Sequence, residues 1–186
     1  MCLRDRSKPE SEKDFSNSNL SRLFTSWGID MKPGMVIGDI VNGRKVSLGP
    51  SNDQKIVTYV LWLAIQQNLL SNTDIITSNL DYIFLKSAGS IENLNTNSSL
   101  VIEPLISTSK ESMLIERYKM QFRADPEQLL KDFESQDKSY IIGARIKGEL
   151  DSAFTMEDIK KIELDTKQHI NNIKDANIIS VSYTHL

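Results

Sequence analysis

Cysteine is almost missing from this chain: among 186 residues Cys2 is the only one. No disulfide can form within the chain, and no thiolate cluster can hold a metal. Histidine is nearly as scarce. Of the two present, His185 falls in the last residues, which leaves His169 and no set of ring nitrogens for a hydrolytic zinc site. Neither G-x-G-x-x-G nor G-x-x-x-x-G-K-[ST] occurs, so the chain has no loop to cradle the phosphates of a nucleotide. No serine sits in a G-x-S-x-G elbow, and Cys2 is not on a strand-to-helix elbow as a class-I amidotransferase-like triad requires.

Long apolar runs are also lacking. The longest lies in "KIVTYVLWLAI", is interrupted by Thr58 and falls well short of the roughly 20 residues of a spanning helix. "MCLRDRSKPESEKDF" has a charged start but no apolar segment behind it, so it is not a signal peptide, and the chain reads as soluble. Charge of one sign is absent as well. Lys plus Arg number 22 against 25 acids, a net charge of -3, which gives no general reason to expect a nucleic-acid partner. Lys160 and Lys161 are answered by Glu157, Asp158 and Glu163, as on a solvated helix face. With 39% hydrophobic residues, a core for one domain or part of one is available.

What is there alternates between helical and extended patterns. Residues 7–18 are polar and read as a linker or loop. Leu20, Leu23, Phe24 and Trp27 share a helix face, with Ser18 as N-cap and Gly28 placed for a left-handed end. Strands are expected at Met35 to Val41, from Lys55 through about Val60, at Tyr82 to Leu85 and at Leu100 to Ile106, and "NGRKVSLGP" carries a hairpin-like Asn-Gly turn. Asp125, Pro126 and Gln128 form a helix start, with Leu129, Leu130 and Phe133 on one face. "KSYIIGARIKGEL" sets Tyr140, Ile142, Ala144 and Ile146 against Arg145 and Lys147, as in a strand near a sheet edge. Thr155 caps a turn with Glu157 and Asp158 at its positive end. A helix from about Leu164 carries His169 on its surface together with Ile170 and Ile173, before a last strand, Ala176 to Ile179. The alternation favours an α/β layer architecture.

Two stretches place hydroxyl residues directly after strand-like runs, "EPLISTSKES" (103–112) and "GARIKGELDSAFT" (143–155). As nucleophiles Ser107, Ser109 and Ser152 lack a base at a recognisable spacing. A carboxylate pair drawn from Asp39, Asp81, Glu103 and Glu149 would suit sugar hydrolysis if two converged. The structural reading is that the hydroxyls satisfy turn and cap hydrogen bonds, and the alternative is that they line a crevice at the strand ends.

In order, "LFTSWGIDMKPGMVIGD", "IVTYVLWL", "IITSNLDYIFLKSAGSI", "EPLISTSKES" and "YIIGARIKGELDSAF" resemble the GldG-like family, the ABC-transporter auxiliary component associated with gliding motility. The resemblance covers nearly all of residues 19–179. Its signature positions here are Trp27, Gly28, Asp39, Pro104, Leu105, Thr108, Ser109, Gly148, Ser152, Ala153 and Phe154. It implies a non-enzymatic substrate-binding-like or docking component, with ABC permease and ATPase subunits as partners and no cofactor of its own. The domain would lie on the periplasmic side of the inner membrane, held by anchors outside this chain. The fold expected is α/β, a partial Rossmann/flavodoxin-like layered domain with a mixed sheet, a fragment of a larger extracytoplasmic region with an uncovered strand edge. The rival readings are an extracytoplasmic hydrolase acting on envelope sugars or peptides and a structural spacer. Residues 1–6 and 180–186 read as non-native ends, because "MCLRDR" and "VSYTHL" look like translated adapter bases and "NIISVSYTHL" departs from the family pattern.

Overall fold

A computed structural model describes residues 20–32, 34–94, 99–121, 125–161 and 169–182. Strands dominate. A short helix α1 (Ser21–Ser26) leads into β1 (Ile29–Asp30), β2 (Met35–Asp39), β3 (Gly43–Leu48) and the long β4 (Lys55–Gln66). After a single 3-10 turn at Gln67–Leu69 come β5 (Tyr82–Lys86), β6 (Glu92–Asn93), β7 (Leu100–Ser107) and β8 (Ser112–Glu116). Two further short helices, α2 (Tyr118–Gln121) and α3 (Pro126–Lys131), precede β9 (Ile141–Asp151), and α4 (Met156–Lys161) stands before β10 (Asn172–Val181).

The strands form a β10-β9-β7 sheet, a β3-β4-β5 sheet, and the pairs β2-β8 and β1-β6. Every pairing between named strands is antiparallel, which corrects the expectation of a mixed, Rossmann/flavodoxin-like sheet. The physical reason is the length of the helices. Parallel neighbours need a crossover of a dozen or more residues, usually a helix that covers the sheet, whereas the described helices run four to six residues. The uncovered parallel edge expected for a fragment therefore has no counterpart here.

Local signals were followed closely where side chains make their own caps. Asp125 accepts from Glu127 N at 2.9 Å with Pro126 behind it, so α3 starts where expected. Gln128 does not serve mainly as a capping-box residue, since its amide holds the Asp132 carboxylate one turn on. At α4, Asp158 N donates to Thr155 Oγ1 while Thr155 N donates back to Asp158 Oδ2, a reciprocal cap. Gly28, with φ of 72°, ends α1 in the left-handed region. The N-cap of α1 is Leu20 without a side-chain bond, and Ser18 lies outside the described residues.

Three expectations are corrected. β9 is the central strand of its sheet, with Arg145 and Lys147 half-buried beside neighbours on both sides, because β10 returns along it. Of the helix expected from about Leu164, the part up to residue 168 lies outside the described residues, while His169 and Ile170 lie in no helix and Ile173 belongs to β10. The Asn-Gly turn closes no hairpin between β2 and β3, which pair with β8 and β4. β4 also runs six residues past Val60, and β10 continues in register through Ser180 and Val181.

The apolar faces meet in three clusters. Ile37, Leu63, Ile65, Leu105 and Ile142 join β2, β4, β7 and β9 in one. Ile29, Ile91, Ala144, Ile146 and Leu150 receive Phe24 of α1 and Trp27 just after it. Val36, Val60, Leu61 and Ile115 are covered by Leu129 of α3. Each fully buried side chain of this size contributes about 1.5–3 kcal/mol, so these clusters fix how the sheets sit on one another.

Candidate functional site

Asp39 closes β2 and is fully buried. Its Oδ1 accepts from Val41 N and Asn42 N, each at 3.0 Å, and from the Ser109 hydroxyl at 2.8 Å. Its Oδ2 accepts from Asn42 Nδ2 and from Ser109 N, both at 2.8 Å. The carboxylate thus draws the turn after β2 onto the segment after β7. A buried carboxylate is tolerable only with such a set of donors. This local claim on Val41 N and Asn42 N also explains the lost hairpin: neither Asn42 nor Gly43 has the positive φ of a type I′ turn.

The neighbouring hydroxyls form the next layer. Thr108 Oγ1 accepts from Tyr140 N at 2.8 Å and lies 2.9 Å from Ser112 Oγ, which in turn donates to the carbonyl of Lys138 at 2.6 Å. Thr108 and Ser112 are both buried. β7, β8 and the start of β9 are therefore tied by side chains where the sheet ladders stop.

Outside this network, Asn42 and Ser109 reach the wall of an open depression of about 400 Å³. Its rim carries Arg44, Lys45, Gln66 and Asn68, and none of the described residues that line it is acidic. The Arg44 guanidinium lies over the Phe84 ring, 4.8 Å from its centroid. Phe84 and Ala64 are register partners on β5 and β4, and Ala64 lines the same depression. The sequence reading placed a strand at Phe84 but did not mark Phe84 or Arg44. The signal was the alternation Tyr82, Phe84, Lys86, which sends these three to one side of β5 while Ile83 and Leu85 turn to the core.

A family model described as "ABC-type uncharacterized transport system" matches residues 3–185. The chain belongs to that family. It is accordingly an auxiliary component of an ABC-type transport system, associated with other components of a transporter. No curated protein and no solved structure matches it. No described helix is long and apolar enough to cross a membrane.

In this transport-system component the remaining signature residues sit apart from the depression. Trp27 donates its ring N–H to the carbonyl of Asp151 at 3.1 Å. Arg22 on the same helix donates to the carbonyl of Ala153 at 2.8 Å, pairs with Asp158, and lies over the exposed Phe154 ring at 4.8 Å. Ser152 Oγ accepts from Phe154 N at 3.1 Å, a local turn. Hydrogen bonds from Thr155 and then from Arg22 hold the Asp158 carboxyl down at about 2. Gly148 has φ of 127°, and a Cβ there would stand 2.1 Å from the carbonyl oxygen of Ser99. Pro104 is exposed on β7, an edge strand whose register with β9 shifts just beyond it, as suits a residue without an N–H.

The carboxylates considered for hydrolysis are held in different ways. Asp39 is surrounded by donors, Glu103 pairs with Lys147 at 2.7 Å, and Asp81 is exposed. Two ionic contacts were not singled out from sequence. Asp74 grips Arg145 through both oxygens, at 2.5 and 2.9 Å, and tethers the loop before β5 to β9. The Arg145 bond and the N–H of Ile76 lower the Asp74 carboxyl to about 2. Glu92 lies between Lys32 and Lys138 at 2.9 and 3.0 Å. Burial alone would raise its carboxyl, but those two hydrogen bonds prevail and lower it. His169 is half-buried rather than on a helix surface, with Nε2 enclosed. Among the described residues, no three His, Cys, Asp or Glu side chains stand together as metal ligands.

Proposed function

We propose that this chain is a non-enzymatic docking or substrate-presenting component of its transport system, working with a permease and an ATPase subunit on the periplasmic side of the inner membrane, in a system of the gliding-motility type. Family membership across residues 3–185 carries the reading. The geometry supports it, because the side chains that look most like catalytic candidates are engaged in the fold. Both Asp39 oxygens receive main-chain and side-chain donors, so the carboxylate that holds the Ser109 hydroxyl is already saturated with N–H bonds of the fold.

The test is to tag the gene at its own locus and purify the product from membranes in mild detergent. A membrane permease and an ATPase carrying a phosphate loop are expected to co-purify. Recovery without either subunit, together with cleavage of envelope glycan or peptide that is lost in Asp39→Asn, would establish the hydrolase reading instead. The gliding assignment is checked separately by deleting the gene and scoring cell movement on agar.

A further inference from the structure

We propose that the outward side of β4 and β5, with the depression beside it, binds an acidic glycan, a carbohydrate chain bearing carboxylate groups. Two exposed rings, two partly buried rings and three cations share this region, Tyr59 and Trp62 packing inward against the cluster of Val60 and Leu61. Tyr82 and Phe84 are about half exposed, at 54% and 52%, with ring centroids 4.9 Å apart. Arg44 lies over Phe84, and Lys86 lies over Trp62 at 4.6 Å, with Tyr59 a further 5.2 Å from Trp62. Lys45 adds charge at the rim. Arg44, Lys45 and Lys86 form no ion pair with a carboxylate of the described residues, whereas the exposed Lys55 and the half-buried Lys147 do.

This pattern is selective. Cations held over ring faces, beside a depression without acids, favour an anionic partner despite the overall charge of -3. Exposed rings suit the apolar face of a sugar ring, and the amides of Gln66 and Asn68 offer both donors and acceptors, matching hydroxyl groups. The guanidinium of Arg44 presents the planar fork that fits a carboxylate. A single-stranded nucleic acid would also meet rings and cations. However, Tyr82 and Phe84 are tilted by 60° rather than laid out as a flat platform for successive bases. A bilayer surface would need more apolar area than Tyr82, Phe84 and Val41 supply. The buried Asp39 lies behind the wall of the depression with its oxygens held by Asn42 and Ser109, and Asp81 is exposed beside Tyr82, outside the lining.

The site does not depend on the transporter reading, so the two can fail separately: direct binding tests the face, and co-purification tests the partners. The experiment is affinity electrophoresis of the full chain through gels containing oligogalacturonate, neutral dextran or a thymidine oligomer, with titration of Trp fluorescence by oligogalacturonate. Retardation by oligogalacturonate alone is expected. Arg44→Gln and Phe84→Ala should each weaken it about tenfold, the factor of one lost charge-assisted hydrogen bond or stacked ring, with unchanged circular dichroism and melting temperature. Lys174→Gln, on β10, should leave it unchanged. The proposal is overturned if the wild-type chain is not retarded, if the thymidine oligomer or dextran retards it equally, or if folded Arg44→Gln and Phe84→Ala bind as the wild type does.

Discussion

The two hydroxyl-bearing stretches that look alike in sequence part company in the fold. After β7, Thr108, Ser109 and Ser112 turn inward and join Asp39 in a network tying β2, β7, β8 and the start of β9. After β9, the side chains of Ser152 and Thr155 make only local turn and cap bonds, and Phe154 remains exposed under Arg22. The difference lies in what arrives from elsewhere. A buried carboxylate reaches the first stretch from β2, whereas the second meets a six-residue helix, α1, laid on its surface. The same residue types therefore consolidate a core in one place and finish a surface turn in the other.

Removing the carboxylate should break this contrast most severely. Asp39→Ala leaves buried N–H groups of Asn42 and Ser109 without an acceptor. At about 1–3 kcal/mol for each unsatisfied group, it should cost about 4 kcal/mol, or on the order of 10 °C in melting temperature. Thermal melts followed by circular dichroism check this. A loss no larger than that of a surface substitution would mean that the Asp39 network is not what holds β2 to the segment after β7.

Next in size is Gly148→Ala. The second stretch owes its course to this residue, because its φ of 127° and the Ser99 carbonyl leave no place for a Cβ. A cost of about 3 kcal/mol is expected from denaturant melts, since here backbone rather than a flexible side chain must move. Moving the substitution to Ser152, which makes one short-range bond, should cost under about 1 kcal/mol. The paired change in the first stretch, Thr108→Val, removes the acceptor of Tyr140 N and the partner of Ser112, and should cost about 2 kcal/mol. Equal losses for Thr108→Val and Ser152→Ala would erase the distinction between the stretches.

Much of the local structure could be read along the chain, while the partners could not. Asp125 with Pro126, Thr155 with Asp158 and Gly28 each act over one turn, so their residue types suffice. The alternation of "YIIGARIKGEL" marks a strand equally well. However, what makes β9 central rather than peripheral is β10, and antiparallel strands can add to either edge without changing the alternation. The expectation of a layered domain with a mixed sheet rests on elements taken in order. The strand order depends instead on contacts such as Met35 with Glu116, far apart in sequence. The Asn-Gly turn misled for a related reason, because the preference of Asn42 and Gly43 was overridden by the Asp39 side chain, itself fixed by Ser109 seventy positions on. Of the named signature positions, Asp39, Thr108 and Ser109 come together, and Trp27, Ser152 and Phe154 gather around the turn after β9. The depression escaped notice because Arg44 and Phe84 belong to strands that are not neighbours, with β4 between them.

The smallest expected effect uses acid to separate the surface contacts from the buried ones. Asp158, in the second stretch, and Asp74, which tethers the loop before β5, both sit at about 2 in the folded chain against 3.8 for a free carboxyl. Their folded values are depressed, so the stability they contribute is complete above pH 3.8 and is lost as the pH falls through about 2. Between those limits the unfolded chain binds more protons at these sites, and stability must rise with pH. Asp158→Asn and Asp74→Asn should each flatten the dependence of the urea midpoint on pH between about 2 and 4, and the double variant should flatten it further. Because Asp158 sits where α1 meets the turn after β9, its substitution should also quench or shift Trp27 fluorescence more than that of Trp62, a difference read by repeating the melts with Trp62→Phe. An undiminished slope in Asp158→Asn would place the acid sensitivity in other carboxylates and leave the surface turn independent of the α1 contact.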